Sequence, residues 1–299
     1  MLNPAETVQR FNEIIAHPKR GWLAADREGR LKEAPVTTII KGLVRHTIFF
    51  LAKIHLLPTV VRGKTFFEAK VEGPVWGVLS LEKKGFHTGE DLKLTKFIVD
   101  NLKPGQVFID AGANYGWYSV LAAALGAKVY AFEPTRKVYK SLAKNAEGKN
   151  ITPYQKAVWS SNGEMSFNDF GDEHSVSNTL VSDPKRNNSV NEWRSSTSAY
   201  TVPTVSLDDI PKADFIKLDC EGVEYEILSA TKKALEHKPI LAVELLDVTR
   251  KNGIAQKIID LLAQKGYRGY YITSDFKLEP IEQKPEAPMV NAIFLSNKN

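Results

Sequence analysis

The sequence predicts an α/β fold, with a mostly parallel sheet covered by helices on both faces, and three observations predict it. Short, continuously apolar runs alternate with helical patterns from Gln106 onward. Strands buried on both faces read this way, and alternation with helices makes them parallel. Gly112 and Gly116 follow directly on the first apolar run, where strand would turn into helix. The composition is that of a globular chain: 299 residues, 43% hydrophobic and 25% charged. This suffices for one large domain or two small ones and excludes a disordered, collagen-like or multi-span membrane chain.

Residues 1 to about 65 read as mostly helical, with breaks near Pro18, Pro35 and Pro58. Up to Lys64 eleven basic residues face five acids, so this zone carries the positive excess of the chain and the remainder is near neutral. A nucleic-acid binder spreads its cations over a binding face, so nucleic acid is not the expected partner. Leu43–Val61 is apolar but holds Arg45, His46, Lys53 and His55, which interrupt it too often for a membrane span of about 20 residues. One reading is a helix packed on the catalytic body or a second subunit. The other is an interfacial helix with snorkelling cations, which would make residues 40–65 a peripheral membrane contact. Met1–Arg20 has no apolar run, so no secretory leader is expected. The lone Cys220 gives no reason for an oxidising compartment. The expected location is cytoplasmic, with membrane association as the alternative; the sequence fixes no oligomeric state.

Val71–Leu81 holds short β-type runs punctuated by Gly73-Pro74 and Gly77. Glu90–Leu102 reads as an amphipathic helix carrying Leu92, Leu94, Phe97, Ile98 and Leu102, stopped by Lys103-Pro104-Gly105. A division follows: residues 1–85 as an N-terminal region and linker, residues 86–299 as the catalytic domain. Within the latter, strands are expected at Val107–Ile109, Lys128–Phe132, Ile151–Val158, Phe215–Leu218, Ile240–Leu245, Tyr267–Ile272 and Ala292–Leu295. Helices are expected at Tyr115–Leu125, Thr135–Ala146, Val223–Leu228 and Ile254–Gln264. Between Ser160 and Thr201 the alternation fails and Ser, Asn, Asp and Gly dominate. An insert at about 160–201 therefore reads as a functional loop or lid, with a hairpin near Glu164–Phe170.

The chemistry concentrates at the first strand end. The run Val107-Phe-Ile-Asp-Ala-Gly-Ala-Asn-Tyr-Gly-Trp-Tyr-Ser119 delivers Asp110 to the carboxyl edge of a buried strand. Gly112 and Gly116 would let the turn pass close to a ligand, which in open α/β sheets lies in that crevice. Glu133 closes the next strand, where an acid accepts hydrogen bonds from ribose hydroxyls. The spacing is Gly-x-x-x-Gly rather than Gly-x-Gly-x-x-Gly, so the tight pyrophosphate approach is missing. Asp110 would repel a diphosphate and favour a cationic ligand bearing an amino group. S-adenosylmethionine carries a ribose, a sulfonium and an α-amino group but no phosphate, so a methyl donor fits better than NAD.

Asp110-Ala-Gly-Ala-Asn-Tyr-Gly116, Phe132-Glu-Pro134, Val205-Ser-Leu-Asp208 and Ile216-Lys-Leu-Asp-Cys-Glu-Gly-Val-Glu224 together resemble the FkbM family of S-adenosylmethionine-dependent methyltransferases, over roughly Glu90 to Phe294. The resemblance implies a seven-stranded Rossmann-like methyltransferase fold and O-methylation of sugar or polyketide hydroxyls. It implies Asp110, Gly112, Asn114, Gly116 and Glu133 as donor-binding positions; the flanking Ala113, Ser119 and Pro134, with Asp219 at the fourth strand tip, complete the expected donor contacts.

Asp219 and Glu221 leave the tip of Phe215–Leu218 on the same crevice as Asp110. Carboxylates there could orient the methionine end of the donor, accept a proton from an attacking hydroxyl, or bind a divalent cation. Glu244 is an acid inside an otherwise apolar strand and a candidate for the acceptor side. Glu224 is better read as a helix-start acid. His174, in the insert, is the fourth catalytic candidate; His87 is a weaker one. No Cys or His cluster has zinc spacing, so no metal is assigned, and Cys220 reads as a core filler.

The leading function is an O-methyltransferase acting on a sugar, a glycan or a small metabolite. One alternative is an RNA 2′-O-methyltransferase, for which Lys217 is the only suggestive cation; strand parity instead pairs Lys217 with Asp219. The other is a membrane- or partner-binding protein whose donor site is vestigial.

Overall fold

A computed structural model describes residues 1–16, 60–65, 68–74, 89–169, 198–246, 253–281 and 289–297. Along the chain come α1 (Pro4–Ala16), β1 (Val60–Lys64), β2 (Lys70–Pro74), α2 (Gly89–Asn101), β3 (Val107–Ala111), α3 (Trp117–Ala124), β4 (Lys128–Phe132), α4 (Arg136–Ala146) and β5 (Ile151–Tyr154). Then follow β6 (Ala157–Trp159), β7 (Gly163–Asp169), β8 (Ser198–Ser206), β9 (Phe215–Leu218), α5 (Glu224–Ala230), α6 (Lys233–Glu236) and β10 (Ile240–Leu246). The chain closes with α7 (Ile254–Gln264), β11 (Tyr267–Ile272), β12 (Leu278–Pro280) and β13 (Met289–Ser296).

The main sheet has the order β12-β11-β13-β10-β9-β3-β4-β5. From β10 through β5 every pairing is parallel. β13 runs antiparallel to both of its neighbours, β10 and β11. Six of the seven expected strands are present, the seventh (Ile151–Val158) only in its first half, and the short β12 adds an eighth at the edge. This is the mostly parallel sheet that the apolar runs predict.

Alternation along each strand divides the core in two. Phe108, Phe215 and Ala242 lie on one face with Leu94, Phe97 and Ile98 of α2 and Val120 and Leu121 of α3. Phe108 and Phe215 stack at 5.2 Å. On the other face, Ile109, Ile216, Leu218 and Val243 meet Ile227 and Leu228 of α5 and Ile258 and Leu262 of α7. Each such fully buried side chain contributes about 1.5–3 kcal/mol, so two covered faces are what hold the strands in place.

The amino-terminal helix α1 begins with a reciprocal cap: the Glu6 backbone N–H donates to Asn3 Oδ1, and the Asn3 N–H to Glu6 Oε2. Its Phe11 is fully buried in the first core face. Val60 and Val61, expected at the end of a helical run, instead begin β1, which pairs antiparallel with β2. Their β-branched side chains follow Pro58, and a partner strand is close in sequence, so pairing overrides the helical pattern. Residues 17–59, including most of the 40–65 segment expected to touch a membrane, lie outside the described residues. Among the described residues no helix is long and apolar enough to cross a membrane.

Two further expectations change. Ile151–Val158 is not one strand: β5 pairs with β4, whereas β6 leaves the main sheet and pairs with β8. The insert is not opened by a local hairpin either. β7 pairs over its whole length with β8, from Gly163 opposite Thr204 to Asp169 opposite Ser198, so the two ends of the insert are zipped together into a three-stranded side sheet. Residues 170–197 between them lie outside the described residues.

Candidate active site

Register brings the acids together. Asp110 on β3 is the partner of Lys217 on β9, and Lys217 is the partner of Ala242 on β10. Side chains two apart share a face, so Asp110, Lys217, Asp219 and Glu244 all project on the face covered by α2 and α3. Lys217 Nζ donates to Asp219 Oδ2 at 2.7 Å and stands 3.8 Å from Asp110 Oδ1 and 5.2 Å from the Tyr118 ring centroid. Tyr118 in turn donates its hydroxyl to Asp91 of α2. Burial works against the Lys217 charge, but Asp219 and Asp110 overcome it and raise the ammonium above its ordinary range. Lys217 is only 3% exposed. A cation so enclosed and so paired has no free face for an RNA phosphate.

Asp110 is fully buried, its Oδ2 accepts the Ser119 hydroxyl at 2.6 Å, and the Lys217 ammonium stands 3.8 Å from its Oδ1. Burial raises its carboxyl despite Lys217 and Ser119. Ser119 is equally buried, with its hydroxyl committed to Asp110.

Gly112 has φ +75°, and a Cβ there would lie 1.8 Å from the Asp219 carbonyl oxygen. Gly116 has φ +84°, and its Cβ would lie 2.6 Å from Leu142 Cδ1. Both permit a left-handed turn and a close approach of protein to protein. Asn114 is left-handed too, at φ +51°, with its own Oδ1 accepting the Tyr115 N–H.

Glu133, just past β4, binds the two strand-tip loops together. Its Oε2 accepts the Asn114 N–H at 3.0 Å and its Oε1 the Thr135 N–H at 2.7 Å. Burial pushes the carboxyl up to about 7 in spite of these donors. Ala113 is buried and Pro134 half-buried beside it. On the far side, Tyr154 at the tip of β5 stacks on Phe132 at 5.0 Å and 10°. No sequence pattern signals this aromatic wall, since Tyr154 reads as a plain strand residue.

Asp219, Glu221 and Glu244 converge so that one carboxylate oxygen from each lies within 4.8 Å of the others. The parallel register explains it: Leu218 is opposite Val243, so the next residues, Asp219 and Glu244, meet at the sheet edge. Glu221 reaches in from a turn with two successive left-handed residues, Glu221 at φ +57° and Gly222 at φ +97°. Glu224 holds that turn: its Oε1 accepts the Cys220 N–H at 2.8 Å and the Gly222 N–H at 3.2 Å. Buried at 1% exposure, the Glu224 carboxyl is pushed up to about 7. Burial and the Asp219 charge raise both Glu221 and Glu244 well above the carboxylate range. Asp219 goes the other way: burial opposes its charge, but Lys217 and a hydrogen bond shared with Glu244 hold its carboxyl low.

His174 and His87 lie outside the described residues. Cys220 is half-buried, with its thiol pushed up by burial.

A curated relative, the hexuronic acid methyltransferase AglP of Haloferax volcanii, is 25% identical over 158 residues, covering 50% of this chain and 60% of that protein. The chain thus matches less than two thirds of that relative's length. Among solved structures, M. jannaschii TYW2 in complex with AdoMet is 13% identical, with a TM-score of 0.43 over 79% of this chain and 84% of that one. Precorrin-6y C5,15-methyltransferase from Geobacter metallireducens is 14% identical, with a TM-score of 0.39 over 69% and 89%. Likenesses this loose say nothing about individual site residues. Residues 110–268, from the Asp110 strand tip into β11, match the methyltransferase FkbM domain over more than half of the chain. The chain belongs to that family.

Proposed function

We propose that this enzyme methylates a hydroxyl group of a sugar, a glycan or a small hydroxylated metabolite. The observation that carries the reading is the convergence of Asp219, Glu221 and Glu244 at one strand-tip edge, next to the loop that Glu133 braces.

The chemistry of the site suits the donor. Four carboxyls (Asp110, Asp219, Glu221 and Glu244) surround a single ammonium, Lys217, among the described residues. Such an excess of acid accommodates a cationic sulfonium and disfavours a diphosphate. Glu133 retains lone pairs beyond its two backbone donors, so we assign it the ribose hydroxyls, with Asn114, Ala113 and Pro134 shaping the loop around them. When bound, S-adenosylmethionine supplies a methyl carbon on positively charged sulfur: the carbon–sulfur bond breaks, a carbon–oxygen bond forms, and the hydroxyl proton must go to the protein.

We assign the hydroxyl proton to Asp219, with Glu221 and Glu244 fixing the position of the incoming hydroxyl. Positioning of this kind supplies much of the rate in a displacement. Residues 1–85 and the insert at 160–201, which among the described residues add no strand to the main sheet, are the parts to which we assign acceptor choice. The hexuronic acid named for the Haloferax volcanii relative makes uronic acids and their glycans the first acceptors to try.

The test is methyl transfer from labelled S-adenosylmethionine to a panel of uronic acids, neutral sugars, their glycans and hydroxylated metabolites, with RNA included. Transfer to a sugar hydroxyl supports the reading; transfer to RNA alone, or to nitrogen, overturns it.

A further inference from the structure

We propose that Asp219, Glu221 and Glu244 form a site for one divalent cation with oxygen ligands. The three donors are all carboxylate oxygens, with no sulfur or imidazole among them, the set preferred by hard ions such as Mg²⁺, Mn²⁺ and Ca²⁺. Their separation of at most 4.8 Å is spanned by one ion, since trans oxygens lie about 4.2 Å apart around Mg²⁺ and about 4.8 Å apart around Ca²⁺.

A second observation points the same way. Glu244 is 6% exposed, and its Oε2 has no hydrogen-bond partner. Its hydrogen bond with Asp219 accounts for the other oxygen at most. A buried carboxylate oxygen with nothing to accept from is costly, and in native proteins such an atom marks a missing ion or water. Lys217 does not fill the gap, because its Nζ is bound to Asp219 Oδ2 at 2.7 Å. It is committed to Asp219, and Glu244 Oε2 stays without a partner.

The position gives the ion a role that rests on the hydroxyl-methylation reading. An ion held by β9 and β10 would draw the acceptor oxygen to the strand tips and ease loss of its proton. The ion site itself does not depend on which acceptor is used.

The full-length chain would be titrated with Mn²⁺ alone and followed by electron paramagnetic resonance, with and without S-adenosylhomocysteine. Expected is one ion per chain, displaced by excess Mg²⁺ or Ca²⁺. Glu244→Gln, close to isosteric, should weaken binding at least about tenfold. Glu221→Gln, on the less buried turn, should do the same, and the surface control Glu236→Gln should change nothing. Absence of Mn²⁺ binding to the unaltered chain up to about 10 mM, beyond the weakest oxygen-ligand sites, overturns the proposal. So does binding untouched by both Glu244→Gln and Glu221→Gln. Calorimetry of S-adenosylhomocysteine on the same samples separates the two readings: Mn²⁺ bound without it leaves the ion site standing while the donor assignment fails.

Discussion

Asp110 on β3 and Lys217 on β9 are register partners, and the Lys217 ammonium stands 3.8 Å from Asp110 Oδ1 in a fully buried setting. The same ammonium is bound to Asp219 at 2.7 Å, so one cation neutralises the tips of two strands. Removing it strands the buried Asp110 carboxylate and the half-buried Asp219. Lys217→Met is expected to cost about 3–5 kcal/mol of stability, as for other buried pairs broken on one side. Urea unfolding measures it. Adding Asp110→Asn should cost less than the sum of the two changes, because the second removes a charge the first left unpaired. Strict additivity would mean that the ion pair does not couple the strands.

Two left-handed glycines separate conformational strain from steric conflict. Gly105, at φ +84°, has nothing within 4 Å of the place a Cβ would take, whereas at Gly112 the Asp219 carbonyl oxygen lies 1.8 Å from that place. Gly105→Ala should therefore cost only the left-handed penalty, about 1–2 kcal/mol. Gly112→Ala must also push the β9 tip away, displacing Asp219. Thermal unfolding and calorimetry with S-adenosylhomocysteine should show a small loss of stability with intact binding for the first, and loss of both for the second. Equal effects would remove the steric argument.

The sheet was legible because its strands are buried on both faces: Phe-Ile-Lys-Leu and Val-Phe-Ile-Asp read as continuous apolar runs whatever surrounds them. The side sheet was not. Gly163–Asp169 and Ser198–Ser206 carry Asn, Ser, Thr and Pro, and their pairing spans an insert whose length gives no local signal. Asp110, Asp219 and Glu244 could be picked out as acids at the ends of apolar strands. That Lys217 would answer Asp110 needed the β3–β9 register, and that Gly112 would face Asp219 needed the close approach of two loops. Neither relation is local in sequence.

Glu133 should make donor binding depend on pH. Its carboxyl, pushed up to about 7 by burial, must be ionised to accept ribose hydroxyls. Donor affinity should thus rise with pH and be about tenfold higher at pH 8 than at pH 6. In Glu133→Gln this increment should vanish, leaving binding at pH 8 weaker by about 1–3 kcal/mol. Calorimetric titration of both proteins at the two pH values gives the comparison, and the difference between them cancels any titration of the ligand itself. An identical pH increment in both proteins would place the ribose elsewhere.

Glu224 bears on the stability of the ligand-free chain. Its folded carboxyl, at about 7, lies above the ordinary value of 4.5, so the folded state binds the proton more tightly than the unfolded state. Its contribution is complete below about pH 4.5 and is lost as pH rises through 7, a difference of up to about 3 kcal/mol for one such buried group. Glu133 acts in the same window and with the same sign. Stability from urea unfolding should consequently fall between about pH 4.5 and pH 7. Glu224→Gln keeps an oxygen to accept the Cys220 and Gly222 N–H groups but has no charge to bury. It should fold normally and lose only its own share of the decline, whereas Glu224→Ala, which orphans both N–H groups, should be less stable at every pH. A slope unchanged in Glu224→Gln would mean that this carboxyl does not titrate in the window.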